Sequence, residues 1–254
     1  MREIDLNADL GEGFGPWTMG DDAAMLDIVS SANLACGGHA GDPEVMFTSL
    51  RQAVERGVVI GAHPGYADRE GFGRRVIPMA PEAIGRMVAA QVGALQGVAA
   101  LAGAEVRYVK AHGALANLAA DRADVAAAIA VAVRDLPGKL MLLAISGTEL
   151  EVQGRKAGIP VVAEVFADRA YQADGRLVPR STAGAVLHDP EVAAARMLRF
   201  AETGRMPVLS GGEVALAARS VCVHGDSPGA VAMARTLRAR LEAAGVAIRP
   251  FAGG

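Results

Sequence analysis

The sequence contains very few cysteines. Of its 254 residues only Cys36 and Cys222 are cysteines, and two cysteines in a chain of this length do not form a disulfide framework. Both lie in apolar stretches, so we expect two buried free thiols in a reducing compartment. Cys36 lies on the opposite strand face from Asn33, which disfavours a role as nucleophile.

Basic charge is not in excess either. The chain has 25 Lys and Arg against 28 Asp and Glu, and no segment concentrates basic residues with aromatics, so nucleic acid is not an expected partner. The N-terminus lacks the basic start and apolar stretch of a signal peptide, and no run of about 18 apolar residues follows it. We therefore expect a cytoplasmic protein that does not enter a membrane.

Apolar residues, in contrast, are plentiful. They make up 52% of the chain and charged residues 21%, which is enough for a buried core and is not the composition of a disordered chain. No Pro/Ser-rich or low-complexity stretch separates two cores. We expect a single catalytic domain that spans residues 1–254.

Short β-rich runs alternate with longer alanine-rich runs of helical period, which is typical of a parallel sheet with crossover helices. We predict strands near residues 3–9, 30–36, 58–63, 106–112, 139–145, 160–168, 219–225 and 246–251. Long helices are predicted over 81–103 and 121–134, and another follows the N-cap Asp42. Seven or eight such βα units can close into a barrel or remain an open wound sheet. Periodicity does not choose between them; we favour a distorted (β/α) barrel.

Two irregular segments are expected to lie over a site as loops. One runs from Arg169 to Pro190 and contains Asp174-Gly175, which is a hairpin turn signal. The other is the glycine-rich segment from Pro64 to Arg75.

Several predicted strands carry polar residues on a face that a parallel sheet normally fills with apolar ones. Side chains alternate along a strand, so Asp5, Asn7 and Asp9 share one face of the first strand. The pattern recurs in later strands at Asn33, His63, Lys110, His112, Glu164, Asp168, His224 and Asp226. Burying one such group without a partner costs about 1–3 kcal/mol, and these residues cluster at strand C-termini, where barrels carry their active sites. We infer a water-filled polar pocket at that end.

Four histidines follow apolar strands: His39, His63, His112 and His224. One alone would be typical of a hydrogen-bonded core residue, but four together favour a site; His188 is interpreted as structural. Asp9, His63 and His112 are candidates to bind a divalent metal such as Zn or Mn. Against this, no H-E-x-x-H motif is present and Lys110 would repel a cation. The sequence leaves a protein-bound metal open.

Two features suit an anionic ligand, and each has a plain structural alternative. Lys110 can neutralise a phosphate or an oxyanion as a point charge, or it can form a buried ion pair with Glu164 or Asp9. The run Asp226-Ser227-Pro228-Gly229 can present backbone N–H groups at a helix N-terminus to phosphate, or it can simply cap that helix. Neither G-x-G-x-x-G nor G-x-x-x-x-G-K-[ST] is present, so a Rossmann cofactor and a P-loop are not expected.

Six motifs, in order along the chain, resemble the LamB/YcsF family. They are DLNADLGE (residues 5–12), ANLACGGHAGDP (32–43), GAHPGY (61–66), VKAHGAL (109–115), EVFADRAY (164–171) and VHGDSPG (223–229). Together they extend over nearly the whole chain. The sequence departs from the family pattern at Ala8, Gly38, Ala111 and Ala116, where cysteine, an aromatic residue, proline and tyrosine are usual; none of these changes removes an ionisable group.

The resemblance implies a barrel like that of the glycoside hydrolase/deacetylase group. It implies cleavage of 5-oxo-L-proline (pyroglutamate) to L-glutamate, coupled to hydrolysis of ATP, with Mg as the counterion of ATP. The chain would be the A component of a 5-oxoprolinase that also needs subunits B and C. On this hypothesis Lys110 and the helix that opens at Ser227 hold phosphate, and Asp9 positions water or substrate. The general base is one of His63, His112 and Glu164. The further substrate- or phosphate-binding residues are Asn7, Glu12, Asn33, His39, Arg169, His224 and Asp226.

Two alternatives remain open at this point. One is a metal-dependent amidohydrolase or deacetylase that uses Asp9 and two histidines around a divalent ion. The other is a non-catalytic subunit that binds a small amide and passes it to its partners.

Overall fold

The computed structural model describes residues 1–224 and 229–252, in which strands and helices alternate along the chain. The strands are β1 (Glu3–Leu10), β2 (Ser31–Ala35), β3 (Val59–His63), β4 (Val106–Val109), β5 (Met141–Ile145), β6 (Val161–Phe166), β7 (Arg205–Pro207), β8 (Glu213–Ala215), β9 (Ser220–Val223) and β10 (Ala247–Ile248). The helices are α1 (Asp22–Leu26), α2 (Pro43–Glu55), α3 (Pro81–Ala102), α4 (Gly113–Asp121), α5 (Ala123–Asp135), α6 (Glu149–Lys156), α7 (Pro190–Thr203) and α8 (Ala230–Ala243).

Seven parallel strands close into a barrel in the order β1-β2-β3-β4-β5-β6-β9. Closure is made by β9, which pairs with β1 so that Asp5 lies opposite Ser220 and Asn7 opposite Cys222. The short strand β10 adds beside the start of β1, and β7 and β8 form a separate antiparallel hairpin. The predicted (β/α) barrel is therefore confirmed, and the open wound sheet is excluded by the β1–β9 pairing.

Local sequence signals explain where the helices begin and end. Helix α2 begins as predicted, because the Asp42 carboxylate accepts hydrogen bonds from the backbone N–H groups of Glu44 and Val45. Helix α3 begins at Pro81 and ends before Gly103, whose left-handed conformation suits glycine.

Helix α3 is the one helix within residues 1–224 and 229–252 that is long and apolar enough to cross a membrane. It carries Glu82 and Arg86 in its first turns. Its buried residues include Ile84, Val88 and Val92, which belong to the main hydrophobic core, and the helix packs against α2, α5, β3 and β4. Its apolar face is thus part of the outer layer of the barrel.

Two described residues that follow β10, Phe251 and Ala252, cover the end of the barrel where the strands begin. Phe251 and Ala252 pack with Tyr108, Leu143 and Val162 in a small apolar cluster. The ring centroids of Tyr108 and Phe251 lie 4.8 Å apart in an edge-to-face arrangement. Apolar side chains therefore cover this end of the barrel.

The predicted strands are confirmed, but several are shorter than expected. Strand β4 ends at Val109 and β6 at Phe166, so Lys110, His112 and Asp168 lie just beyond their strands. The Asp174-Gly175 hairpin turn is confirmed by the antiparallel bridge between Tyr171 and Leu177. The β7–β8 hairpin and helix α4 were not predicted. The cap predicted at Asp226-Ser227-Pro228 lies outside the described residues.

Candidate functional site

The polar residues predicted to share one strand face do lie together inside the barrel. Asp5, Asn7 and Asp9 are all buried, because β1 is covered on both sides by the barrel interior and the helical layer. The Asn33 amide nitrogen donates hydrogen bonds to Asn7 Oδ1 at 2.7 Å and to Asp9 Oδ1 at 2.8 Å. The Tyr108 hydroxyl donates to Asn33 Oδ1 at 2.7 Å. These bonds link β2 to its neighbour β1 and, past β3, to β4 through their side chains.

Asp5 is a fully buried acid near the start of β1. Its carboxylate accepts hydrogen bonds from the hydroxyl groups of Ser30 at 2.7 Å and Ser31 at 2.6 Å, and from Ser220. Burial raises the pKa of Asp5 to about 6 in spite of these three donors. Asp5 is therefore a carboxyl whose proton is held more tightly in the folded protein.

Lys110 lies at the centre of the network, where its ammonium meets several oxygens. Its Nζ is 2.9 Å from Asp9 Oδ1, 3.2 Å from Glu164 Oε2 and 3.3 Å from Asn7 Oδ1. It also lies 3.1 Å from the sulfur of Cys222. Lys110 therefore forms an ion pair with both acids that the sequence offered as partners.

The surroundings shift the pKa values of Lys110, Asp9 and Glu164 in different ways. Burial lowers the pKa of Lys110, but the surrounding negative charges, that of Asp9 first, outweigh it and hold the pKa well above its ordinary value. Burial likewise raises the pKa of Asp9, but His63 and Lys110 outweigh it and hold the pKa well below normal. For Glu164 burial prevails, and its pKa is raised despite Lys110. Lys110 and Asp9 are ionised, and Glu164 is the more basic of the two carboxylates.

A second group at the mouth of the barrel contains three imidazoles and one carboxylate: Glu12, His39, His63 and His112. His63 Nδ1 lies 2.8 Å from the carbonyl oxygen of Lys110, and His112 Nε2 lies 2.9 Å from that of Phe72. The other two nitrogens of this pair, His63 Nε2 and His112 Nδ1, are 3.1 Å apart. His39 Nε2 lies 3.0 Å from Glu12 Oε1.

The imidazoles pack tightly and are shielded from water. The rings of His39 and His112 are stacked with centroids 3.6 Å apart. Burial lowers the pKa of His39, and it lowers that of His112 to about 3. A Cβ placed on Gly73 would lie 2.7 Å from His39 Cβ, so the glycine-rich loop over 64–75 rests directly on the rings. Both histidines are neutral at physiological pH.

A third group lies toward the loop over 169–190. His224 Nδ1 is 2.7 Å from Asp168 Oδ2, and His224 Nε2 accepts a hydrogen bond from Arg180 at 2.8 Å. Arg169 is buried and donates to the carbonyl oxygen of Val178 at 2.7 Å. Burial lowers the pKa of Arg169 to about 10, which still leaves it charged at neutral pH.

A small cavity opens beside the Lys110 network and is large enough for about one water molecule. It is lined by Lys110, Ala111, Ala116, Leu143, Ala144, Ile145, Thr148, Leu150 and Glu164. A molecule in this cavity would be in reach of both an ammonium and a carboxyl group with a raised pKa.

The predicted site residues thus divide into groups. Asn7, Asp9, Asn33, Lys110 and Glu164 form the Lys110 network; Glu12, His39, His63 and His112 form the histidine group; Arg169 and His224 lie in the third group. The first two groups touch where His63 Nε2 lies 3.4 Å from Asp9 Oδ2. Asp226 and Ser227 lie outside the described residues.

The metal candidates named from the sequence are brought together only in part. His63 and His112 lie in the four-residue histidine group, but Asp9 does not belong to it. Asp9 Oδ1 instead accepts hydrogen bonds from Asn33 and Lys110. The group contains Glu12 and His39 in its place.

Sequence reasoning missed several participants, among them Tyr108, Arg180, Ser220 and Cys222. Period-two alternation was a usable signal for three of them. Tyr108 lies two residues before Lys110. Ser220 and Cys222 lie four and two residues before His224. Arg180 lies in an irregular loop, where no periodicity indicates direction.

Comparison with known proteins gives consistent matches over the whole chain. The family model described as LamB/YcsF family matches residues 4–254. A protein of Rhodopseudomonas palustris, named as the A subunit of 5-oxoprolinase, is 51% identical over 252 residues, which cover 99% of each chain. A protein of the same name from Nocardia farcinica is 55% identical over 248 residues, which cover 98% of this chain and 99% of that one.

A solved structure shares the fold as well. The crystal structure of the lactam utilization protein from Thermus thermophilus superimposes with a TM-score of 0.93 at 44% sequence identity. The match covers 98% of this chain and 100% of that chain. The two proteins therefore share the barrel fold and detectable sequence similarity over almost their whole length.

Proposed function

Because the chain belongs to the LamB/YcsF family, we propose that it is the A component of a cytoplasmic 5-oxoprolinase. Together with subunits B and C it would cleave the lactam of 5-oxo-L-proline to L-glutamate while ATP is hydrolysed to ADP and phosphate. The names of relatives about half identical to this chain support the substrate and the place in a multi-subunit enzyme. The chemistry is argued from the residues inside the barrel.

One observation carries the catalytic part of the proposal. Lys110 and Glu164 line the same small cavity, 3.2 Å apart, and both are buried. A fixed positive charge beside the more basic of the two carboxylates is the combination needed to hold an oxyanion or phosphoryl oxygen and to take a proton from water. Asn7 donates to Glu164 Oε2 at 3.2 Å and keeps that carboxylate in place.

A five-membered lactam is a poor electrophile, which explains the need for ATP. In the reaction we propose, the lactam oxygen attacks the γ-phosphorus of ATP and ADP leaves. Water then adds to the activated carbon as Glu164 takes its proton, and the ring C–N bond breaks as nitrogen gains a proton. The resulting acyl phosphate is hydrolysed by a second water to L-glutamate and phosphate. Lys110 would stabilise the negative charge that develops on oxygen.

The remaining groups are proposed to bind the ligands. Arg180 places its guanidinium group beside His224, and Arg169 adds a second, buried guanidinium whose pKa responds to burial and to the charges of Arg180 and Asp168. Guanidinium groups suit phosphate and carboxylate oxygens. We propose from the sequence pattern alone that Asp226 and Ser227 bind phosphate. The nucleotide would be ATP with Mg as its counterion.

The proposal predicts that Glu164→Gln removes most of the activity. The amide cannot accept the proton of water, so glutamate release from 5-oxoproline by this chain, mixed with subunits B and C and ATP, should fall by about 100-fold or more. Glu105→Gln changes an exposed glutamate and should leave the rate unchanged.

The same assay separates the alternatives. Release that requires ATP and all three subunits supports the proposal, and equal rates for E164Q and E105Q would remove Glu164 as the base. Release that needs a metal but no ATP would favour an amidohydrolase. Binding of 5-oxoproline without glutamate in any mixture would favour a non-catalytic binding subunit.

A further inference from the structure

Two histidine nitrogens in the barrel face each other without a hydrogen between them. A carbonyl oxygen only accepts, so His63 Nδ1 and His112 Nε2 must each carry the hydrogen that they donate to the backbone. A neutral imidazole has one such hydrogen. His63 Nε2 and His112 Nδ1 therefore present lone pairs to each other at 3.1 Å. This contact is favourable only if a cation lies between them.

A proton is a poor candidate for that cation. It would create an imidazolium among buried rings, two of which are stacked with centroids 3.6 Å apart, where a further buried charge is costly. Glu12 Oε1 lies 3.5 Å from His112 Nδ1 and 3.0 Å from His39 Nε2. A metal ion would satisfy all of these atoms at once.

We propose that four side chains at the mouth of the barrel bind one zinc ion: Glu12, His39, His63 and His112. Their donor atoms all lie within 4.8 Å of one another. Tetrahedral zinc with bonds of about 2.0–2.1 Å separates its ligands by about 3.3–3.4 Å. The closest contacts in the group, 3.0, 3.1 and 3.5 Å, already have that spacing.

The surroundings support the ligands in the way that metal sites require. The two backbone carbonyls fix the tautomer and the orientation of His63 and His112, as partners of metal-bound histidines usually do. Asp9 adds a second carboxylate 3.4 Å from His63 Nε2. The repulsion from Lys110 that the sequence suggested is offset, because its charge is paired with Asp9 and Glu164.

The donor set selects the kind of metal. Three imidazoles and one carboxylate suit zinc, whereas magnesium and calcium prefer sites made of oxygen ligands. The site does not rest on the proposed lactam chemistry, since neither Lys110 nor the cavity beside Glu164 belongs to it. With zinc bound, His63 and His112 are ligands, and the proton acceptor is left to Glu164.

The test measures zinc itself, without 5-oxoproline or ATP. The full chain is stripped with a chelator and titrated with zinc by calorimetry, and bound zinc is then counted by mass spectrometry. We expect about one tight zinc per chain, and binding at least about 100-fold weaker in Glu12→Gln and His39→Gln. His188→Gln, at an exposed histidine outside the group, should bind zinc like the wild type.

Circular dichroism shows which variants are folded, and only folded variants are compared. Cobalt provides a second readout, because a tetrahedral site gives a strong visible absorption that the wild type and H188Q should show and E12Q should lose. The proposal is overturned if the wild-type chain binds zinc no more tightly than E12Q, or if H188Q loses binding to the same extent. Loss of glutamate release alone would count against the proposed function and not against this site.

Discussion

Lys110 keeps its charge inside the barrel because the network around it offsets the cost of burial. An isolated buried ammonium would give up its proton, but Asp9 and Glu164 lie within 3.2 Å of this one. The two acids then differ, since the pKa of Asp9 is held well below its normal value and that of Glu164 is raised. The two carboxyl groups beside this lysine therefore differ: Asp9 stays ionised as its counterion, whereas Glu164 holds a proton more readily.

Asp5 should make stability depend on pH in the direction opposite to most acids. Its folded pKa of about 6 exceeds the value of about 3.9 in an unfolded chain. The folded state thus binds more protons between these values, and stability falls as pH rises through that window. Relative to Asp5→Asn, which cannot ionise, the wild type should lose about 3 kcal/mol between about pH 4 and pH 7.

Urea denaturation of both proteins across this pH range checks the prediction. Parallel stability curves for wild type and D5N would show that Asp5 titrates normally in the folded state.

At the scale of single elements, a missing side chain on one strand can shape the site as much as the polar side chains do. Gly61 in β3 lies opposite Tyr108 in β4, and a Cβ at position 61 would lie 2.2 Å from the Tyr108 ring. The absent side chain lets the Tyr108 ring pass over β3 and donate to Asn33 on β2. A glycine on one strand thus sets the hydrogen bonds of two others.

Gly61→Ala should therefore displace Tyr108 and destabilise the protein by about 1–3 kcal/mol, as overpacking usually does. Gly93→Ala is the matched control: Gly93 is exposed in the middle of α3 with nothing within 4 Å of the added Cβ. It should stabilise the protein by about 0.5–1 kcal/mol through helix propensity. The free energies of unfolding in urea give both values, and equal signs for the two variants would contradict the account.

At the scale of the whole molecule, two distant parts of the chain complete the barrel. Strand β9 closes it against β1, and the segment around Phe251 covers the end where the strands begin. This leaves the other end, where His63 and His112 lie, as the open side. Phe251 and Ala252 are therefore part of the packed interior.

Phe251→Ala should destabilise the protein by about 2 kcal/mol, less than the loss for a fully buried phenylalanine because Phe251 is only half-buried. Leu101→Ala removes a large side chain that is 80% exposed and should change stability by less than about 0.5 kcal/mol. Thermal unfolding followed by circular dichroism compares the two. A loss for F251A no greater than for L101A would show that the segment does not close the barrel.

The sequence alone determined the alternation of strands and helices, the inward face of β1 and the family motifs. Those properties are local: side chains alternate with period two along a strand, so Asp5, Asn7 and Asp9 must share a face whatever the strand packs against. Asn33, Lys110 and Glu164 were found in the same way. The turn at Asp174-Gly175 and the cap at Asp42 also depend only on neighbouring residues.

Only the tertiary structure decided how those residues combine. Closure depends on the pairing of β1 with β9, and a contact between strands more than 200 residues apart leaves no trace in local periodicity. The division into a Lys110 network and a histidine group was equally hidden, because Glu12 and His39 lie in loops beyond strand ends, where no period fixes the direction of a side chain. Whether a carboxyl is ionised depends on burial and on charges from other strands, so the difference between Asp9 and Glu164 exists only in the folded barrel.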